Sequence, residues 1–302
     1  MEALRPVLGG ALALVGIALC IAVVSGRASW RRGAVLSLAG LSLLVPLCQP
    51  RDYVLVRGLF ALWTILIVLR AIDLASERRT SPLGLRLPLM FVVFDIRAAR
   101  RCTPKLLPRT FVQGVFMGLL AALGLASVML WVPSVDASWR YPLRWICGTV
   151  FVYASADAAG QLVTAGYRSM GLRIPPQHDH PILSRSVGEF WSKRWNINVH
   201  SWLMRHVFRP FAARRRPVAG LVAAFCVSAL IHFWLIWAAL GLGWGLAMGA
   251  FFLVQGALVI AERVIRLDRL RPGLQRSWTI AWMLLTAPLF VEPFLRLVHT
   301  PL

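Results

Sequence analysis

An all-α polytopic membrane protein is the fold class this sequence predicts, with about eight transmembrane helices plus embedded or interfacial cytoplasmic helices. Three observations predict it. Of the 302 residues 58% are hydrophobic and only 15% charged, well away from the balance of a soluble domain. The apolar residues come in runs of about 17 to 25, long enough to cross ~30 Å of hydrocarbon as helices. The 33 Lys+Arg, set against 12 Asp+Glu, gather between those runs and are nearly all arginine. In a soluble chain that excess would suggest nucleic acid. Placed between apolar runs it reads as membrane topology, and no nucleic-acid partner is expected.

Eight spans are expected, at about 6–25, 33–49, 53–70, 110–132, 143–167, 217–241, 244–262 and 277–298. Only Glu2 and Arg5 precede or open the first run, without the basic n-region of a cleaved signal peptide, so it is read as a span. Placing 26–32, 70–109, 168–216 and 263–276 on one side of the membrane collects 27 of the 33 Lys/Arg there. By the positive-inside tendency that side is cytoplasmic and both termini lie outside. No internal repeat or soluble boundary appears, so residues 1–302 read as a single integral membrane domain.

Two cytoplasmic segments are too apolar to be simple loops. LGLRLPLMFVVFDIR (83–97) is too short to span and is broken by Pro88, and it reads as interfacial or re-entrant. The second runs from Pro175 to Phe211. Its PP and HDHP portions are turn chemistry, and Ser186 with Glu189 three residues on has capping-box spacing, so a helix is expected to open there and run to Pro210. At 100° per residue, Arg194, Asn198, Arg205 and Arg209 share a narrow sector, while most of the remaining circumference is apolar or aromatic. That pattern suits a helix embedded in protein with its basic strip facing water or an anion. A surface-lying helix, with tryptophans at headgroup depth and arginines on anionic lipid, is the other reading.

The next span, VAGLVAAFCVSALIHFWLIWAALG, carries one strongly polar residue. His232 lies fifteen residues beyond Pro217, roughly 22 Å along the helix axis and so at hydrocarbon depth. A histidine there needs an interior cavity or a partner, and it is a functional-site hypothesis by default. A purely structural bond to a neighbouring helix is the competing reading. Other polar groups speak less clearly. His178, Asp179 and His180 resemble metal ligands but sit adjacent in a Pro-flanked loop, and no metal is expected. Asp157 and Glu262 are intramembrane carboxylates that mark a proton path or pair with a basic residue. Ser228 can bond its own helix backbone. Five cysteines without CxxC spacing indicate neither a disulfide framework nor a zinc site.

GEFWSKRWNINVHSWLMRHVFRPF followed by FCVSALIH resembles the signature of the membrane-bound O-acyltransferases, in particular the branch of wax synthases and of diacylglycerol and sterol acyltransferases. FFLVQGALVIAER and WMLLTAPLFVEPFLR are similar to that family's closing segments, so the likeness covers about 184–296. The resemblance implies that His232 is the catalytic base and Asn196 its polar companion. It implies that Phe190, Trp191, Arg194, Trp195 and His200 line the donor and acceptor paths, and that Gln255 is a polar contact near the reacting carbonyl. One departure stands out: Phe233 follows the histidine where many relatives carry an acidic residue.

The chemistry so implied is direct transfer. A neutral imidazole takes the proton of an acceptor hydroxyl as its oxygen attacks the thioester of acyl-CoA, and burial favours that neutral form. The arginines suit a polyanionic donor arriving from the cytoplasm. Acyl-CoA, a lipophilic alcohol of the wax-ester kind and membrane lipids are the expected partners, with no cofactor beyond the donor. An acetyl- or acyltransferase for a small hydroxylated metabolite such as a terpenoid or sterol, and a non-enzymatic transporter, stay open. The Arg-rich, Lys-poor composition points to a bacterial inner membrane, with the motif loop cytoplasmic.

Overall fold

The structure is a computed structural model that describes residues 4–77, 81–92 and 96–298. In chain order its helices are α1 Arg5–Val24, α2 Ser29–Ser42, α3 Val54–Ala75, α4 Leu83–Leu89, α5 Pro108–Ala126, α6 Ala137–Ser169, α7 Val187–Glu189, α8 Ile197–Leu203, α9 Arg209–Ala212, α10 Pro217–Leu240, α11 Leu242–Val264 and α12 Pro272–Leu297. Strands among the described residues are confined to one antiparallel pair, β1 Arg100–Arg101 with β2 Leu172–Arg173. The all-α polytopic class is as expected. Among the described residues seven helices are long and apolar enough to cross a membrane: α1, α3, α5 with its continuation to Ser134, α6, α10, α11 and α12. They coincide with seven of the eight expected spans to within a turn or two.

The remaining one, 33–49, is corrected. Its helix α2 has 14 residues and stops at Ser42, about 21 Å by the helical rise, short of the ~30 Å hydrocarbon layer. Pro46 stands four residues on, where its ring would meet the Ser42 carbonyl of a continuing helix. The chain instead tightens into i→i+3 bonds, Leu44 N–H to Leu41 and Val45 N–H to Ser42. Within 83–97, helix α4 ends one residue after Pro88; positions 93–95 lie outside the described residues.

The chain packs as two compact units. The first comprises residues 1–98 and 233–245, and its core is built by Leu14, Ala18, Ile21, Val35, Phe60 and Ile67. The half-buried Arg57 donates to the carbonyls of Ala238 (2.7 Å) and Gln49 (2.9 Å), and the buried Asp73 accepts from Arg70 and Arg97.

The second unit comprises residues 99–232 and 246–302. Here α5 lies close on α6, because a side chain at Gly124 would strike the backbone of Cys147 and Phe151 at 2.9 Å. Likewise α6 receives α12 at Gly148, against Val291 and Leu295. Beside that contact Arg144, 1% exposed, donates to Glu292 at 2.9 Å, and Trp145 and Arg296 reach the same carboxylate. A carboxylate with three donors is tolerable at this depth where a lone one is not.

Candidate active site

The segment expected as one helix from Ser186 to Pro210 is broken, and the break builds the site. Ser186 Oγ accepts the Glu189 N–H at 2.8 Å, the expected cap. Glu189 returns not to Ser186 but to the Arg185 N–H, also at 2.8 Å. After α7 the chain widens into a π-helical turn, Phe190–Arg194, then leaves helical space at Trp195 and enters the left-handed region at Asn196, φ 42°. Asn tolerates that region because its short side chain bonds locally. Here its Oδ1 accepts the Val199 N–H at 3.4 Å and caps α8. The 100° projection therefore fails across this point: residues before and after it do not share a helical face.

The PPQHDH loop braces the break. Asp179 N–H donates to the Arg194 carbonyl and Ile197 N–H to the Gln177 carbonyl, both at 2.9 Å. The Trp195 ring packs between His178 (4.6 Å), Phe190 (5.5 Å) and Tyr153 (5.9 Å). Burial pushes the His178 imidazole below its usual range, opposed by the Asp157 charge. The start of α7 is held from a distance. Glu262, at the end of α11, accepts the N–H groups of Val187 (2.6 Å) and Gly188 (2.9 Å) and the indole N–H of Trp278 (3.1 Å). A carboxylate on the first N–H groups of a helix satisfies orphan donors and meets the positive end of its dipole.

Between this arm, the first part of α10 and the last part of α11 lies a cavity of about 1110 Å³, wholly within the second unit. Its exposed rim carries Arg185, Lys193, Arg263, Arg266 and Arg269 against Asp268, and is strongly basic. From Arg263 back to Phe252 the helix descends roughly 16 Å, and the lining turns apolar with Leu221, Ala224, Phe225 and Phe252. His232 faces this inner part. Its Nδ1 is 2.8 Å from the Ser228 carbonyl oxygen. A carbonyl only accepts, so Nδ1 carries a proton, and in the neutral tautomer this leaves, the lone pair lies on Nε2. Phe252, 2% exposed, stacks on the ring at 3.9 Å and fixes its plane.

Of the residues singled out by sequence, the cavity brings together His232, Asn196, Trp191, Trp195 and His200. Burial lowers the His200 pKa, favouring a neutral ring. Three others do not line it. Phe190, 8% exposed, packs behind Trp191 and Trp195. Arg194 is spent on Glu189 (2.8 Å) and the Asp179 carbonyl (3.1 Å). Partial burial pushes the Glu189 carboxyl up, but the Arg185 N–H, Arg194 and Lys193 outweigh it and hold it below the usual range. Gln255 is fully buried; it accepts the Trp191 indole N–H at 3.1 Å and donates to Thr286 at 2.8 Å. It positions Trp191 from behind. Sequence reasoning missed the rim cations, although Arg263, Arg266 and Arg269, spaced by three just past a span, were a readable signal.

Residues 174–268 match the model of the MBOAT, membrane-bound O-acyltransferase, family. The chain is 28% identical over 175 residues to a probable long-chain-alcohol O-fatty-acyltransferase 3 of Arabidopsis thaliana, covering 51% of this chain and 50% of that one. It is 28% identical over 181 residues to the long-chain-alcohol O-fatty-acyltransferase of Simmondsia chinensis, covering 55% and 49%. It is also 24% identical over 229 residues to acyl-CoA–sterol O-acyltransferase 1 of Arabidopsis thaliana, covering 70% and 66%. The chain thus spans about half the length of the alcohol acyltransferases it matches. The matched segment contains the broken arm, His232 and, of the rim cations, Arg185, Lys193, Arg263 and Arg266, so the likeness read from the motif falls on the cavity itself.

Proposed function

We propose that this protein is a membrane-bound O-acyltransferase that moves an acyl group from acyl-CoA to the hydroxyl of a lipophilic alcohol, with residues 1–302 as one catalytic domain and the motif-bearing core at about 184–296. The observation that carries the reading is His232 at the inner end of a basic-rimmed cavity, its Nδ1–H committed to the Ser228 carbonyl and Nε2 left as a base.

The donor's phosphates meet the rim arginines on the cytoplasmic side, and its thioester reaches inward along the apolar wall. The acceptor oxygen attacks the thioester carbonyl while its proton passes to His232 Nε2. The tetrahedral intermediate collapses, the C–S bond breaks, and the imidazolium returns the proton to the departing thiolate. Ester and free coenzyme A result, and the histidine is neutral again. No covalent enzyme intermediate is required. Asn196 is the companion: held in the left-handed region with Oδ1 on the Val199 N–H, it keeps its amide N–H groups to donate to the developing oxyanion. Trp191, Trp195 and His200 shape the paths, with Phe190, Arg194 and Gln255 positioning them from behind.

The names of the relatives support an alcohol acceptor, and the sterol acyltransferase covers the larger share of this chain. Transfer to a sterol or terpenoid hydroxyl is therefore the second reading. Membranes containing wild type or His232→Ala are assayed with labelled acetyl-CoA and palmitoyl-CoA against fatty alcohols, diacylglycerol and sterols. Wild type is expected to form ester only when thioester is present, and His232→Ala to lose about 10²–10⁴-fold in rate while staying inserted. Turnover retained by His232→Ala removes the base from the scheme, and solute flux without thioester favours a transporter instead.

A further inference from the structure

Away from the cavity, a depression of about 290 Å³ lies where α5 begins and α6 ends. Lys105, Arg168 and Arg173 line it together with Leu107, Leu172 and Ile174. It is a built feature. Arg168 donates to Cys102 and to the Thr103 carbonyl, tying the approach to α5 onto the end of α6. The Lys105 N–H returns a bond to the Arg168 carbonyl at 3.1 Å, and the β1–β2 pair closes the frame. Arg100, Arg101 and Arg109 lie in the same stretch and are exposed. Against these six cations, residues 96–135 and 158–178 contain no Asp or Glu.

The neighbouring surface says what kind of anion fits. Below the depression α5 exposes an apolar stripe, Phe111, Val112, Val115, Phe116, Leu119 and Leu123, each more than 40% exposed. At 33 residues α6 is about 50 Å long, so its end reaches beyond the ~30 Å hydrocarbon to headgroup depth. A cationic hollow at headgroup depth, continuous with a lipid-facing stripe, matches one molecule at both ends: a phosphate on the cations and acyl chains along the helix. We infer that the head of the α5–α6 hairpin is a binding site for an anionic phospholipid. The site stands apart from the proposed acyl-transfer chemistry and does not depend on it.

The full-length protein in detergent is equilibrated with phosphatidylglycerol or phosphatidylcholine, and retained lipid is counted by native mass spectrometry. Three forms are compared: wild type, Lys105→Gln/Arg173→Gln, and Arg214→Gln/Arg215→Gln, which removes two exposed cations elsewhere. Arg168 is left in place because it holds the frame. Wild type and the Arg214/Arg215 variant are expected to retain phosphatidylglycerol over phosphatidylcholine, and the Lys105/Arg173 variant to bind it roughly tenfold more weakly or less. Lys105→Arg/Arg173→Lys should restore it. Equal retention by all forms, or equal loss in both Gln variants, overturns the site. Displacement of the lipid by millimolar inorganic phosphate overturns it as well, assigning the hollow to a free phosphate.

Discussion

Asn196 and His232 show how far a single residue type carries a reading. His232 was legible because a histidine at hydrocarbon depth has few cheap explanations. Its tautomer was not, since that depends on the Ser228 carbonyl one turn back being the partner. Asn196 was marked only by its place in the motif; its left-handed backbone explains why an Asn, and not any polar residue, stands there. The two roles of that residue separate by substitution. Asn196→Asp keeps the capping oxygen and the tolerance of positive φ but loses the amide donor. It is expected to fold as wild type and lose about 10²–10³-fold in turnover, the usual magnitude for one oxyanion donor. Asn196→Ala additionally loses the cap and meets a backbone cost of about 1–2 kcal/mol, visible as a lowered melting midpoint in detergent. Near-wild-type turnover by Asn196→Asp would assign the residue a purely conformational role.

At the scale of elements, the broken arm departs most from its sequence reading. Periodicity favoured a continuous helix to Pro210, because nothing local between Ser186 and Pro210 breaks one. The break is imposed from outside, by two backbone bonds from the PPQHDH loop and by the aromatic stack around Trp195. The capping box was legible because Ser and Glu three apart satisfy helix N–H groups locally. Glu262, which sequence offered as a proton-path or ion-pair carboxylate, anchors the arm instead through backbone N–H groups. Glu262→Ala strands those donors, and we expect a loss of about 1–3 kcal/mol in unfolding free energy, with weakened donor binding because rim residue Arg185 lies two residues before α7. Unchanged stability and unchanged donor affinity together would show that the arm holds without this anchor.

Across the whole molecule, run length and charge placement set the expectations that a topology experiment can check. In a variant with its five cysteines replaced by Ala, single cysteines at Arg215, Arg271 and Ser138 are labelled with a membrane-impermeant maleimide. The first two are expected to react from the cytoplasmic side and Ser138 from the other. Ala28→Cys, in the connection before α2, decides whether α2, at 14 residues, crosses the membrane or stays within one leaflet; labelling of Ala28→Cys from the same side as Ser138 would leave seven crossings and place the termini on opposite sides. Run length and residue type alone marked seven membrane helices, the basic character of one set of connections, and the histidine worth testing. Those properties are sums over neighbouring residues, or the cost of one polar group in hydrocarbon. The break of the arm at Asn196, the hold of Glu262 on its start, the places of Gln255 and Arg194 behind the cavity, and the gathering of cations from 185 to 269 around one opening come from the folded chain alone. Each of these depends on groups distant in sequence meeting at hydrogen-bonding range, and neither periodicity nor composition encodes which partner arrives.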